Sequence, residues 1–262
     1  MKAGIVQMLA AVDQIADTAS VSLLLTCDEE TGSATSRAMI EAEALRAGNV
    51  LVCEPSADGG SVKTARKGIA GYEIRVSGRA AHAGLEPELG VNASIEIAHQ
   101  DLALGSLARV QDGSSVTPTV LAGGTTANSV PESARVVVDV RAWTRRELDR
   151  IHEAMMTLEP RLPGARLKVE GGVNRYPLEP NLNAELLAMA QLAAEDVGED
   201  RPEGVRSGGG SDGNLTGAVG VPTLDGLGAV GAHPHARTEQ VHLTAMPGRA
   251  AMLAALIDRI TS

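Results

Sequence analysis

The chain has 262 residues, 44% of them hydrophobic, and a formal net charge of -10 at neutral pH. That length suffices for one large domain or two small ones, and the acidic balance argues against nucleic acid and anionic membranes as partners. With no Phe, one Trp and two Tyr, the chain lacks platforms for stacking bases, and Leu, Val, Ile, Ala and Met must fill its core.

Residues 3–17 read as a helix, with Ile5, Met8, Leu9, Val12 and Ile15 on one face. Residues 20–27 read as a buried strand that ends in Asp28-Glu29-Glu30. Residues 33–47 follow as a helix, with Ser33 as N-cap and Gly48 just past the end. A strand over 49–53 then ends in Glu54-Pro55. Strand, helix, strand in this order suggests a parallel sheet. The pattern changes at Tyr72-Glu73-Ile74-Arg75-Val76, which alternates as a half-exposed strand does. A helix over 89–106, strands over 115–122 and 133–141, a helix over 145–158 and a strand over 166–170 complete a β-α-β-β-α-β order. That order is the split βαβ arrangement of a ferredoxin-like module. After Pro177-Leu178-Glu179-Pro180 come a helix over 182–197, the loop Ser207-Gly208-Gly209-Gly210-Ser211-Asp212, a strand over 221–225 and a helix over 243–260. The expected fold is therefore an α/β mixed-sheet domain, 1–68 with 176–262, into which a ferredoxin-like α+β domain, 69–175, is inserted.

No apolar run approaches the roughly 18 residues of a membrane span. No secretory leader is visible, so a cytoplasmic protein is expected. Cys27 and Cys53 both fall in expected core strands and read as buried free thiols.

Chemistry concentrates at the ends of the apolar runs. Asp28-Glu29-Glu30, Glu54 and His235 supply carboxylates and an imidazole where open α/β sheets bind ligands. These are the residue types of a di-metal hydrolase, which needs ligands, an open position for water and a nearby base. A single such Glu is more often a solvated loop residue; it is the set that carries the signal.

The set resembles the zinc-dependent aminoacylase and glutamate carboxypeptidase family of di-zinc metallopeptidases. The resemblance covers nearly the whole chain. It rests on Asp28-Glu29-Glu30-Thr31-Gly32-Ser33, Glu54-Pro55-Ser56, Arg66-Lys67-Gly68 and Ala81-His82-Ala83-Gly84 followed by Pro87-Glu88-Leu89-Gly90-Val91-Asn92-Ala93. It continues through Asn128-Ser129-Val130-Pro131, Asp139-Val140-Arg141, the glycine loop and His235-Ala236-Arg237-Thr238-Glu239. It implies two Zn2+ per subunit, with Glu30 and His235 on one ion and Glu54 on the other, and Glu29 as the general base. His233 competes with His235 for the ligand role; the spacing of His235 to Glu239 fits the family pattern better.

The insert would be a lid and dimerisation domain of a homodimer, from which His82 donates a hydrogen bond to the oxyanion in the partner's site. Asn128 and Arg141 would bind oxyanion or substrate carboxylate, a guanidinium being suited to two-point contact. Gly209 and Gly210 would bring backbone N–H groups to substrate. Lys63, Arg175 and Arg206 are weaker candidates for an acidic substrate, since lone basic residues near loops are usually solvated; His99, His152 and His242 read as structural.

The resemblance also implies a ligand from an upstream His-x-Asp motif and a bridging Asp, which no residue of this sequence matches. The expectation is an N-terminally truncated member with exposed sheet edges, weak zinc binding and impaired turnover, with Asp28 or Asp212 left to substitute as ligands. The expected activity is hydrolysis of an amide in a C-terminal or N-acyl amino acid substrate, glutamate carboxypeptidase-like. The alternatives are an N-acyl amino acid deacetylase, or a non-catalytic dimerising remnant that binds small carboxylates. A nucleotide-binding role is set aside, because the glycine loop lacks both the Gly-x-Gly-x-x-Gly spacing and a phosphate-loop Lys.

Overall fold

Runs of alternating or continuous apolar residues, broken by Gly, Pro, Asn and Ser, set most elements of the chain. A computed structural model describes residues 1–15 and 18–262. In chain order the helices and strands are α1 (Lys2–Val12), α2 (Arg37–Ala47), β1 (Val50–Val52), β2 (Val62–Arg66), β3 (Gly68–Ser77), α3 (Ala93–Gly105), β4 (Ser115–Gly123), β5 (Ser133–Ala142) and α4 (Arg145–Met156). There follow β6 (Arg166–Arg175), α5 (Ala184–Asp196), β7 (Gly204–Ser207), α6 (Gly213–Ala218), β8 (Thr223–Asp225), β9 (Gly231–Ala232), β10 (Gln240–Val241) and α7 (Met246–Thr261). The chain divides into two compact units, Met1–Lys67 with Pro177–Ser262, and Gly68–Tyr176.

The first unit holds a four-stranded sheet in the order β1-β8-β2-β7. β1 runs parallel to β8, with Val52 opposite Asp225. β2 runs parallel to β7 and meets β8 antiparallel where Lys63 faces Asp225. The sheet is thus mixed. Its core unites Ala11 of α1, Leu186 and Ala190 of α5, and Leu253 and Leu256 of α7 with Val62 and Leu224. A glycine lets α1 come close: a Cβ on Gly4 would stand 2.3 Å from the Cys53 carbonyl oxygen.

The second unit is an antiparallel sheet in the order β4-β5-β3-β6, the ferredoxin-like arrangement with its first and third strands in the centre. The alternation of β3 and β5 sends Ile74, Val136, Val138 and Val140 to one core with Leu104, Leu148, Ile151 and Met155 from the helices. Asn92 caps α3 by accepting from Ser94 N at 3.0 Å and Ile95 N at 3.1 Å.

Four sequence expectations change. Residues 20–27 form no strand: among the described residues no strand pairs with the segment, and Leu23, Leu24 and Leu25 are exposed. An apolar run becomes a strand only where another strand satisfies its backbone groups. Cys27 is correspondingly exposed, and Cys53 is half-buried rather than in a closed core. Ser33 is not the cap of α2, which starts four residues later; Ser33 sits in the left-handed region at φ 56°. The first helix ends at Val12, and residues 16 and 17 of its expected span lie outside the described residues.

Candidate active site

Glu29 and Glu30 sit in a single 3-10 turn, Glu29–Thr31, with Asp28 just before it and Gly32 at φ 95° closing it. Two aspartates brace it. Asp28 Oδ2 accepts from Thr35 N at 2.8 Å, Thr35 Oγ1 at 2.6 Å and Ser36 N at 3.2 Å. Ser36 and Thr35 hold its carboxyl well below the usual carboxylate range. Asp212, far along the chain, accepts from Ser33 Oγ at 2.5 Å and Thr26 Oγ1 at 3.0 Å. The two candidates for substitute ligands therefore hold the turn in shape, and the second oxygen of Asp28 is buried.

The turn presents Glu30 outward. His235 Nδ1 comes to 4.0 Å from Glu30 Oε1, with the two side chains 77% and 76% exposed. That is too long for a hydrogen bond. Two ligands of about 2.1 Å on one tetrahedral zinc stand about 3.4 Å apart, so the pair would have to close by about 0.6 Å to share an ion, a small movement for two exposed side chains. His233 and His235 have φ of 58° and 64°, and with Ser33 they are the non-glycine positive-φ positions among the described residues. All three belong to the acidic turn or the imidazole loop. Backbone strain of this kind gathers at functional sites, although His adopts the region more readily than most residues.

Glu54 follows β1 by two residues, at the sheet end where β8 delivers Asp225. Burial raises its pKa, and the charges of Asp225 and Glu29 raise it further, against the opposing pull of Arg66 and Lys63. Glu29 and Glu54 are thus electrostatic neighbours. Among the described residues, no three His, Cys, Asp or Glu side chains cluster closely enough to hold an ion. The donors are a Glu30–His235 pair with Glu54 apart from it, short of the three protein ligands that a zinc site takes. They do not make a complete metal centre by themselves.

Beneath this surface lies an ion pair that sequence reasoning missed. Arg66, at the end of β2, bonds Asp225 at two points, Nε to Oδ2 at 2.7 Å and Nη2 to Oδ1 at 2.9 Å. Arg66 is 4% exposed and Asp225 0%. Arg66 Nη1 also donates to the carbonyls of Gly209 at 2.9 Å and Gly210 at 3.3 Å. Ser211 Oγ donates to Asp225 Oδ2. The sequence signal was a lone Asp closing an apolar strand, with an Arg closing another. Lys63 and Arg175 are not the solvated cations expected. Lys63 Nζ donates to Pro55 O at 2.7 Å, its pKa lowered by burial and then by Arg66, and Arg175 is buried.

In the second unit, Ala83 N donates to Asn128 O at 2.9 Å and Val130 N to Ala81 O at 2.9 Å, lacing the two loops together. His82 and Asn128 are therefore neighbours in the chain's own fold. His82 Nδ1 accepts from Gly84 N at 3.1 Å and Leu85 N at 3.2 Å, which leaves the ring proton of the neutral imidazole on Nε2. These loops adjoin the Ser133 end of β5, where Gly78 N bonds Glu132 O. Arg141 lies at the other end of β5, opposite Ile69 and Ser115. Eight residues at about 3.4 Å each put roughly 27 Å between those ends. Arg141 also bonds Asp139, Nε to Oδ1 at 2.9 Å. The fold brings His82 to Asn128 and keeps Arg141 away from both.

The comparisons with known proteins accord with this architecture. Residues 1–259 match Peptidase family M20/M25/M40, and the chain belongs to that family. It is 33% identical over 258 residues to carboxypeptidase G2 of Pseudomonas sp. (strain RS-16), covering 93% of this chain and 60% of that one. It is 28% identical over 265 residues to succinyl-diaminopimelate desuccinylase 2 of Shewanella loihica, covering 93% and 70%. The chain thus spans well short of the full length of these relatives. The crystal structure of aminopeptidase PepT from Bacillus cereus superposes with a TM-score of 0.80 at 23% identity, over 100% of this chain and 71% of that one. A dinuclear metal binding peptidase of the M20 family from Bacillus subtilis shares the fold with a TM-score of 0.62 at 17% identity, over 88% and 62%. Among the described residues, no helix is long and apolar enough to cross a membrane.

Proposed function

We propose that this chain carries the proton-transfer carboxylate and part of the metal donor set of a hydrolase that cleaves an amide bond beside a free carboxylate, as the name carboxypeptidase G2 describes for a relative. The observation that carries the reading is the approach of His235 to Glu30 at 4.0 Å, two donors from opposite ends of the chain meeting beside Glu29. Glu29 is the base that takes a proton from the attacking water and returns it to the leaving amine. Glu30 and His235 are donors for one zinc and Glu54 for a second. Their number makes zinc binding by this chain weak and its turnover impaired. Removal of the acyl group of an N-acyl amino acid is the neighbouring reading, supported for a succinyl group by the desuccinylase relative.

His82, Asn128 and Arg141 serve the substrate, with Gly209 and Gly210 supplying backbone N–H groups. Because His82 and Arg141 stand at opposite ends of one inserted sheet, both can serve one small substrate only from two copies. This supports a homodimer joined through the inserted unit. The test is hydrolysis of N-acyl-glutamates by zinc-supplemented protein and by Glu29→Gln. The proposal expects slow turnover that falls by about 10²- to 10⁴-fold in the variant. Equal rates refute the role of Glu29. No turnover in either protein favours the second reading, a non-catalytic unit that dimerises and binds carboxylates, for which the sparse donor set speaks.

A further inference from the structure

We infer that Arg66, locked on Asp225, is a positioning residue that presets the Gly210 N–H as a donor to an anionic group of the ligand. The inference rests on the proposed reading of the glycine loop as part of the substrate site. Among the described residues, no peptide bond is cis. In a planar trans peptide, the N–H of one residue points opposite to the carbonyl of the residue before it. Arg66 Nη1 holds the Gly209 carbonyl at 2.9 Å, facing the buried guanidinium. The Gly210 N–H must therefore point away from the buried pair. Among the described residues it has no hydrogen-bond partner, whereas Gly209 N bonds Ser207 Oγ at 3.3 Å and Ser211 N bonds Asn214 Oδ1 at 3.0 Å.

The guanidinium cannot turn. Its Nε and Nη2 are held by both oxygens of Asp225, which also accepts from Ser211 at the far end of the loop. One carboxylate thus fixes the arginine and the loop together, and a planar fork is suited to that task where an ammonium is not. The glycines themselves point to a visitor. Gly208 and Gly209 do not have positive φ, and a Cβ on Gly208 would meet nothing within 4 Å. Neither backbone geometry nor packing within the chain requires glycine at Gly208. Bare backbone there leaves room for another molecule to approach the Gly210 N–H.

The experiment compares wild type with Arg66→Lys and Asp225→Asn by 15N relaxation of the loop amides, then titrates each with N-acetyl-L-glutamate. Arg66→Lys retains the buried charge, and Asp225→Asn retains the side-chain shape, so one folded variant suffices. The expected result is a Gly210 amide with an order parameter near about 0.85 in wild type and below about 0.6 in the variants. The probe should shift that amide in wild type and bind at least tenfold more weakly to the variants. Unchanged order at Gly209 and Gly210 in a folded variant overturns the inference, whatever the probe does. So does a probe that binds wild type without moving the Gly210 amide. A probe that binds none of the proteins overturns the proposed substrate site instead, and the order parameters still decide whether Arg66 sets the loop.

Discussion

Replacing Asp212 by Ala should loosen the acidic turn without touching Glu29 or Glu30. Asp212 accepts from the buried Ser33 hydroxyl at 2.5 Å and from Thr26 Oγ1 at 3.0 Å. It makes no side-chain cap on α6, and these two bonds tie it to the turn. Hydrogen bonds to a charged group contribute about 1.5–3 kcal/mol each, which sums to about 3–6 kcal/mol for two. Asp212 is half-buried, and solvent screening places the expected loss at the lower end, about 3 kcal/mol. Asp212→Asn keeps a carbonyl acceptor and should lose about half as much, since neutral bonds contribute about 0.5–1.5 kcal/mol. The assay needs care, because Tyr72, Trp143 and Tyr176 all lie in the inserted unit. Tryptophan fluorescence does not report on the unit that holds Asp212. Urea unfolding followed by far-UV circular dichroism, with hydrogen exchange read on peptides spanning residues 26–36, does. A stability change under about 0.5 kcal/mol, or unchanged exchange in that segment, would refute the bracing role.

Two further predictions concern the sheet end and the inserted unit. Gly228→Ala would place a Cβ 2.3 Å from the Cys53 carbonyl oxygen and 2.8 Å from that of Glu54, backbone atoms that cannot move aside. It should cost about 1–3 kcal/mol or more and shift Glu54; an unchanged thermal midpoint contradicts this. Glu147 has its carboxyl held below the usual range, by Arg150 first and then by Ser114. Its folded pKa lies below its unfolded one, so its contribution is present above about pH 4.3 and disappears as pH falls through the depressed value. The stability gap between wild type and Glu147→Gln, read by Trp143 fluorescence, should therefore be steady above about pH 4.3 and narrow as the pH falls below it. A constant gap would count against it.

The fold class was legible because its signals are local. The two-residue alternation of Tyr72, Ile74 and Val76 and the apolar spacing of Leu148, Ile151 and Met155 need no knowledge of distant partners. Val21–Leu25 was misread for the opposite reason. Its apolar run is that of a buried strand, but a strand is a property of a pair, and among the described residues no strand pairs with it. The residue types of the candidate site were legible at the ends of apolar runs. What holds them was not. Ser33 looked like a helix cap, yet its hydroxyl goes to Asp212; Arg66 and Asp225, which tie the glycine loop to the sheet, lie too far apart in sequence for any spacing rule to pair them. Nor could the sequence show that Arg141 and His82 fall at opposite ends of one sheet, which only the strand register reveals.

Zinc titration of the apo protein and of His235→Ala by calorimetry tests the central claim most directly. Glu30 and His235 as shared donors, with Glu54 apart, predict fewer than two tight equivalents per chain, and binding that weakens markedly when His235 is removed. Two tight equivalents per chain, or a titration indifferent to His235, would contradict the account.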